Sequence, residues 1–221
     1  MKKNLIIFGT GEIAQLAHYY FTNDSNYEIA AFTVDEQFLE EDTFCSLPVV
    51  PFETLETKYP TSKYSLFIAL SYSKLNQIRK NKFEEALARG YELVSYVSSH
   101  ATVLNDGCIG RNCFILEDNT IQPFVKIEDN VTLWSGNHIG HHSTIDRHCF
   151  LASQIVVSGG VKIEEQCFIG VNATLRDHIT VGARSIIGAG VLLLNSTEAQ
   201  SVYKGSRGVP SKAKSSAIRS I

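Results

Sequence analysis

An α/β head followed by a three-sided coil of short parallel β-strands is the fold class that this 221-residue sequence predicts. Three observations carry the prediction. From Val97 to Leu193 every sixth residue is Val, Ile or Leu, at 17 consecutive positions. Four places after each of these, from Ala101 to Thr197, stands a residue that is never charged and never aromatic. Ahead of that repeat lie about 95 residues in which strand-like and helix-like segments alternate, enough for a separate small domain. A helix needs apolar residues every three or four positions and a one-sided strand every two. A period of six suits a chain that turns a corner after each short strand and sends one aliphatic inward from each flat face.

Taken in order, Asn4 to Phe8 reads as a buried strand, and Gly9-Thr10-Gly11-Glu-Ile-Ala14 leads from it into a helix over Ala14 to Phe21. This is the G-x-G-x-x-[GA] strand-to-helix turn, whose glycines let backbone approach a phosphate at the positive end of a helix. A second strand, Tyr27 to Val34, ends at Asp35, 24 residues after Gly11. A carboxylate there is placed to meet a ribose or base. Gly9, Thr10, Gly11 and Asp35 are therefore the expected substrate contacts of the head; the alternative is a plain tight turn and a solvated loop. Glu53 to Lys58 is a short helical candidate, Ser65 to Leu70 a third strand, and Lys74 to Arg89 a helix stopped by Gly90. Three strands and two or three helices make a truncated Rossmann-like unit over residues 1–95. A dinucleotide site needs two mononucleotide halves, so a nucleotide-linked sugar suits this head better than NAD.

The coil is expected over residues 96–200. Six residues on each of three faces make 18 per turn, so the repeat supplies between five and six coils, roughly 25 Å tall at about 4.8 Å per strand layer. Gly110, Gly140, Gly170, Gly182 and Gly188 each follow an aliphatic and are read as turn positions, with Glu128, Asp146 and Glu164 equivalent to them. Periodicity does not set the hand of the coil, and the crossover rule alone favours a right-handed one. Cys113, Cys149 and Cys167 fall on the slim inward position and are expected to be buried free thiols. Cys45 and Cys108 have no assigned role.

Runs such as Ile139-Gly-His-His-Ser-Thr, Ile169-Gly-Val-Asn-Ala-Thr and Ile187-Gly-Ala-Gly-Val-Leu resemble the hexapeptide signature of left-handed β-helix acyltransferases. With the Gly9-Thr10-Gly11 head in front, nearly the whole chain resembles bacterial sugar acetyltransferases of the sialic acid O-acetyltransferase group, which includes N-acetyltransferases of nucleotide-linked 4-amino sugars. The resemblance implies a truncated Rossmann-like domain followed by a left-handed parallel β-helix, a homotrimer, and acetyl-CoA as co-substrate lying along the coil between subunits. A nucleotide-linked sugar would be held partly by the head. His141 matches the family's catalytic histidine, the general base for attack of a sugar amine or hydroxyl on the thioester. Where sugar N-acetyltransferases of this group place Glu after that histidine, this chain has His142, so the orienting carboxylate must come from elsewhere, and Asp146 is a candidate. Phe150 stands where relatives carry a second histidine. Trp134, Asn137 and His138 are placed to line the acceptor pocket, although Trp134 would equally serve packing at a trimer interface. The resemblance puts pantetheine against Gly170, Ala173, Gly188 and Ala189, slim residues that a tight coil would also choose. Lys204 and Arg207, in a tail over 201–221 that also holds Lys212, Lys214 and Arg219, are placed either for CoA phosphates or to cap the open end of the coil.

Composition sets the remaining bounds. A formal charge of -3 with 19% charged residues provides no field that would draw the protein to nucleic acid or an anionic membrane. No apolar run reaches the length of a membrane span and Met1-Lys2-Lys3 leads straight into a strand, so a cytoplasmic location with no membrane insertion is expected. Three other functions fit parts of the sequence. A γ-type zinc carbonic anhydrase on the same coil needs one histidine far upstream of a close pair, which His138, His141 and His142 do not provide. A non-catalytic trimer with a nucleotide-sensing head, and a nicotinamide oxidoreductase built on the glycine turn, are the other two.

Overall fold

A computed structural model describes residues 3–210, 212 and 215–217. The head is a five-stranded sheet in the order β3-β4-β2-β1-β5, from β1 (Lys3–Phe8), β2 (Tyr27–Val34), β3 (Thr43–Phe44), β4 (Leu47–Pro51) and β5 (Tyr64–Ile68). All pairings are parallel except the β3–β4 hairpin. Two strands more than expected are present, because Cys45 and Ser46 turn left-handed (φ 49° and 63°) and fold the Pro-containing segment back onto the sheet edge. Pro48 is paired only with β3 and Pro51 only with the end of β2, so each has one side outside the ladder, where a missing N–H is tolerated. Helix α1 (Glu12–Asn23) packs on one side of the sheet through Ala14, Ala17 and Phe21. Helix α3 (Gln77–Ala88) lies on the other through Phe83 and Ala86, together with the short α2 (Leu55–Lys58). α3 begins three residues later than the sequence suggests, since Lys74, Leu75 and Asn76 all have positive φ.

From Tyr96 the chain winds as a left-handed parallel β-helix of two-residue strands. The hand opposes the crossover rule, whose cause is the twist of long strands; two-residue strands carry little twist to impose. Face one stacks seven strands, from Tyr96–Val97 through Phe114–Ile115, Thr132–Leu133, Phe150–Leu151, Phe168–Ile169 and Ile186–Ile187 to Val202–Tyr203. Face two stacks six, from Thr102–Val103 to Leu192–Leu193, and face three four, from Lys126–Ile127 to Thr180–Val181. The coil thus continues to Tyr203, past the expected end of the repeat. The aliphatics and their slim partners, Cys113, Cys149 and Cys167 among them, form one continuous core.

From Asp106 to Gly190 the third residue after each aliphatic has φ between 53° and 76°, so this residue makes the corner. The glycines one place after the aliphatic have a different cause. A Cβ on Gly140 would stand 2.6 Å from the carbonyl carbon of Ser158, and one on Gly110 2.5 Å from the backbone N of Asp129. Neighbouring coils meet there too closely for any side chain.

The head covers face one. Tyr72 packs against Phe150 and Phe168, Tyr96 and Phe114 join the core under α1, and Tyr20 donates a 2.8 Å hydrogen bond to Glu117. Arg79 of α3 is buried in this seam, donating to Thr132 Oγ1 (2.6 Å), Asn76 Oδ1 (3.1 Å) and the Cys149 carbonyl (3.1 Å). Among the described residues it has no carboxylate partner, and burial pulls its pKa down to about 10.

Candidate active site

The corner between faces two and three points away from the head. His141 and His142 occupy it on the middle coil, both exposed. The backbone N–H of His141 donates to Gln122 Oε1 of the preceding coil at 2.8 Å. On the following coil stand Gly159 and Gly160, and the His141 imidazole lies against Gly159: a Cβ there would be 2.6 Å from Cε1 and 2.8 Å from Nε2. Gly160 has φ 68° and lies against the ring of exposed His178 in the same way. The two glycines therefore make a shelf for imidazoles. They lie outside the set of residues read as functional, and the adjacent pair, unlike the lone glycines of other corners, was the available signal.

His142 is the left-handed corner residue, φ 59°, with its ring against Phe124 of the coil before (centroids 4.7 Å apart). The Nδ1 atoms of His141 and His142 are 3.1 Å apart, a hydrogen-bond distance, with ring planes at 86°. One Nδ1 donates and the other accepts. An imidazole so arranged, on an exposed residue and tied at Nδ1 with Nε2 unpartnered among the described residues, is of the kind that can act as a general base.

Several expected site residues are elsewhere. Asp146 makes no hydrogen bond or ion pair with His141 or His142 among the described residues: it sits on face three with Lys162 at 3.8 Å, and burial with Glu128 and Glu164 nearby raises its pKa. Asn137 is buried inside the coil, donating to the Trp134 carbonyl (2.6 Å) and accepting from the Ile155 N–H (2.8 Å), above Asn119 in the same role. It cannot line an acceptor pocket. Trp134 is half-buried, packed between Phe114 and Phe150 against the head. Phe150 belongs to that aromatic seam and is on the opposite side of the coil from His141. His138 is half-buried on face two, next to Ile139. His148 is buried under Phe83 with Nδ1 2.9 Å from Asn130 Nδ2, and burial, then the charges of Lys80, Arg79 and Arg147, push its pKa down to about 4.

In the head, Gly9 has φ 119° and its N–H donates to the Thr33 carbonyl, while a Cβ would come 3.0 Å from the Ala69 oxygen. The first glycine is thus required by the turn. Gly11 caps α1 with no side-chain partner for the helix N–H groups and with open space around it. Thr10 lines a cavity of about 210 Å3 with Phe38, Glu40, Glu41, Thr43, Phe44 and Val49, at the carboxyl ends of β1 and β2. Asp35 does not reach it as a free carboxylate; it holds Lys82 Nζ at 2.6 Å. Burial opposes the charge of Lys82, but hydrogen bonds with Asp35 and Glu85 hold its pKa above the ordinary value.

The residues expected to meet CoA separate into two groups. Ala173 is fully buried in the coil core and unavailable. Gly170 and Gly188 are slim because Ala189 N and the Tyr203 carbonyl would lie 2.6 and 2.9 Å from a Cβ. Ala189, Lys204 and Arg207 are exposed near the last corner between faces one and two. Face two separates this group from His141 within one chain. Lys214 and Arg219 lie outside the described residues.

Residues 160–195 match the profile of the family described as bacterial transferase hexapeptide (six repeats). Among solved structures, the acetyltransferase domain of PglB from Neisseria gonorrhoeae FA1090 is 23% identical, over 92% of this chain and 97% of that chain, with a TM-score of 0.81. The same domain in complex with acetyl coenzyme A gives 0.82 at 20% identity, over 93% and 97%. PerB from Caulobacter crescentus, in complex with CoA and GDP-perosamine, gives 0.79 at 22% identity, over 91% and 94%. A variant of the perosamine N-acetyltransferase from that organism gives 0.76 at 20% identity, over 91% and 93%. The likeness covers head and coil together, so the fold of this chain is theirs.

Proposed function

We propose that this chain transfers an acetyl group from acetyl-CoA to the amino group of a nucleotide-linked sugar, with His141 as general base. The observation that carries the reading is the His141 imidazole itself: exposed at a coil corner, resting on the glycine shelf, and hydrogen-bonded through Nδ1, with no hydrogen-bond partner for Nε2 among the described residues. On the same fold, PerB has been captured with CoA and GDP-perosamine, an amino sugar nucleotide. That favours an amine over a hydroxyl as acceptor.

In this reading the sugar amine attacks the thioester carbonyl, a C–N bond forms and the C–S bond breaks. His141 Nε2 takes the proton from the attacking nitrogen and returns it to the departing sulfur. No covalent intermediate on the protein is needed, and the rate depends on holding the amine in line with the carbonyl. Lys204 and Arg207 supply positive charge for CoA phosphates. The cavity beside Thr10, at the open N-terminus of α1, takes the nucleotide.

The placement of these parts favours a homotrimer. A chain's own head covers face one, whereas its His141 stands at the vertex opposite that face. A nucleotide-linked sugar held in a head would meet the His141 corner of a neighbouring copy, not of its own chain. Products of this reaction suit surface polysaccharide or glycan assembly from cytoplasmic precursors.

The test is mass spectrometry of UDP-, dTDP- and GDP-linked amino and deoxy sugars incubated with acetyl-CoA and protein, with His141→Ala alongside. One amino sugar should gain an acetyl group with the unmodified protein only. Acetylation by His141→Ala at an equal rate, or of hydroxyls in preference to amines, would overturn the reading.

A further inference from the structure

Two charged features outside the His141 corner end without a site. The acidic group Glu128, Asp146 and Glu165 on face three surrounds Arg147 but contains no buried, unpartnered group that points to a ligand. Arg79 is buried in the seam, its NH groups bonded and its Nε left without a partner among the described residues, and no cavity opens onto it. His142 carries more. The reading of His141 as a base leaves open what holds its Nδ1 proton, since among the described residues no carboxylate bonds the ring and Asp146 is turned toward Lys162.

We infer that His142 is a positioning residue that fixes the tautomer of His141: the Nδ1–H of His141 donates to an unprotonated Nδ1 of His142. This rests on the proposed acetyl transfer, and extends it by naming what stands in for an orienting carboxylate. Three features of the corner support it. The Nδ1 to Nδ1 distance of 3.1 Å leaves room for one shared hydrogen and no second group. The left-handed backbone of His142 aims its ring back at its predecessor, and Phe124 backs that ring at 4.7 Å. His141 is held independently, by Gln122 at its backbone and Gly159 beneath its ring.

The direction of the shared hydrogen decides the chemistry. If His141 donates, its Nε2 carries a lone pair and can take a proton from the acceptor. If His142 donates, His141 Nε2 carries the hydrogen and is no base. With His141 as donor, proton uptake at Nε2 makes an imidazolium whose Nδ1–H bond to His142 strengthens, because a hydrogen bond from a charged donor exceeds a neutral one. The proton then leaves Nε2 for the thiolate and the pair is restored, with the hydrogen between the two rings never released.

Replacement at 142 separates this role from corner structure. His142→Asn keeps a residue that accepts left-handed backbone and places its Oδ1 where Nδ1 stands, so the acceptor survives. His142→Gly keeps the corner and deletes the acceptor. The expected result is a kcat within a few-fold of the unmodified protein for His142→Asn and about tenfold lower for His142→Gly, the scale of one hydrogen bond to a charged group, with acceptor KM unchanged in both. His142→Glu should equal or exceed the unmodified protein. Equal kcat in His142→Gly, or equal losses in His142→Asn and His142→Gly, would overturn the assignment. Long-range 15N spectra of histidine-labelled protein give a readout free of activity: His141 should be the Nδ1–H tautomer and revert to Nε2–H in His142→Gly. An Nε2–H tautomer of His141 in the unmodified protein would refute the inference, even if acetyl transfer is observed. Failure to acetylate any sugar, with the Nδ1–H tautomer present, would sink the proposed function and leave the pair.

Discussion

Gly159→Ala should disable catalysis while leaving the fold intact. The backbone of Gly159 is not left-handed, so alanine fits it without strain, and the change should even remove some unfolded-state freedom, worth about 0.4–1 kcal/mol. The added Cβ would stand 2.6 Å from His141 Cε1 and 2.8 Å from Nε2, whereas carbon atoms in contact sit at about 3.5–4.0 Å. The imidazole must retreat by about 1 Å. It is exposed and can do so cheaply, so the melting temperature should hardly move. A catalytic group misplaced by that distance costs on the order of 10²-fold in rate, and it should appear in kcat, since substrate contacts are untouched. Thiol release from acetyl-CoA, followed with a chromogenic disulfide alongside thermal melting, measures both quantities. A variant with unaltered melting and unaltered kcat would refute the placement of His141 on this glycine, and with it the claim that the shelf positions the base.

Three further outcomes follow from the packing. Arg79→Ala should cost about 3 kcal/mol or more in urea melts, because it strands Thr132 Oγ1 and the Cys149 carbonyl and leaves a void, while Arg79→Met, which fills the space without a buried cation, should recover much of the loss; equal losses would show that the hydrogen bonds decide. Asn137→Ala should destabilise by about 1–3 kcal/mol by leaving the Ile155 N–H unsatisfied in the coil, with no change in acceptor KM; a raised KM with normal stability would return Asn137 to the acceptor pocket. His148 has a folded pKa of about 4 against an ordinary 6.5, so the stability it contributes is full above about pH 6.5 and is lost as pH falls toward 4. With solvent screening at the edge of the seam, that loss is about 2 kcal/mol. His148→Gln should be the less stable protein at pH 7 and close the gap by pH 4, and parallel stability curves for the two would count against burial as the cause.

Much of the coil was legible from Val97 to Leu193 because each inward position is filled by residues that only a narrow prism selects. The head was legible in outline. What escaped were features set by tertiary contact. The β3–β4 hairpin hides in a Pro-containing segment because its turn residues, Cys45 and Ser46, are poor left-handed formers held there by the sheet edge. The difference between His142 and His148 was hidden for a related reason. Both occupy the same step of the repeat and have the same backbone, with φ 59° and 63°. One is exposed beside His141 and the other is buried and neutral under α3. Period six makes them equivalent, so nothing at that spacing sorts the exposed histidine from the buried one.

Period 18 does sort them. The outward residue before each inward aliphatic on face one runs Tyr96, Phe114, Thr132, Phe150, Phe168 and Ile186; on face two it runs Thr102, Thr120, His138, Val156, Thr174 and Leu192; on face three, Lys126, Thr144, Lys162 and Thr180. Aromatic side chains standing on a flat sheet face need cover, so face one is where the head must dock, and the corner opposite face one is the one left open for chemistry. His141 and His142 are on that corner, and His148 is on a corner that borders the covered face. The single small polar break in the aromatic file, Thr132, is where Arg79 enters, donating to its hydroxyl and lying 5.9 Å from the Phe150 ring. A larger residue at 132 would fill the slot that the guanidinium occupies. That contact joins α3 to the coil and holds the head on face one. On the proposed trimeric reading, Arg79 therefore bears on how the cavity beside Thr10 is presented to the His141 corner of a neighbouring copy without touching either, by fixing the angle between head and coil.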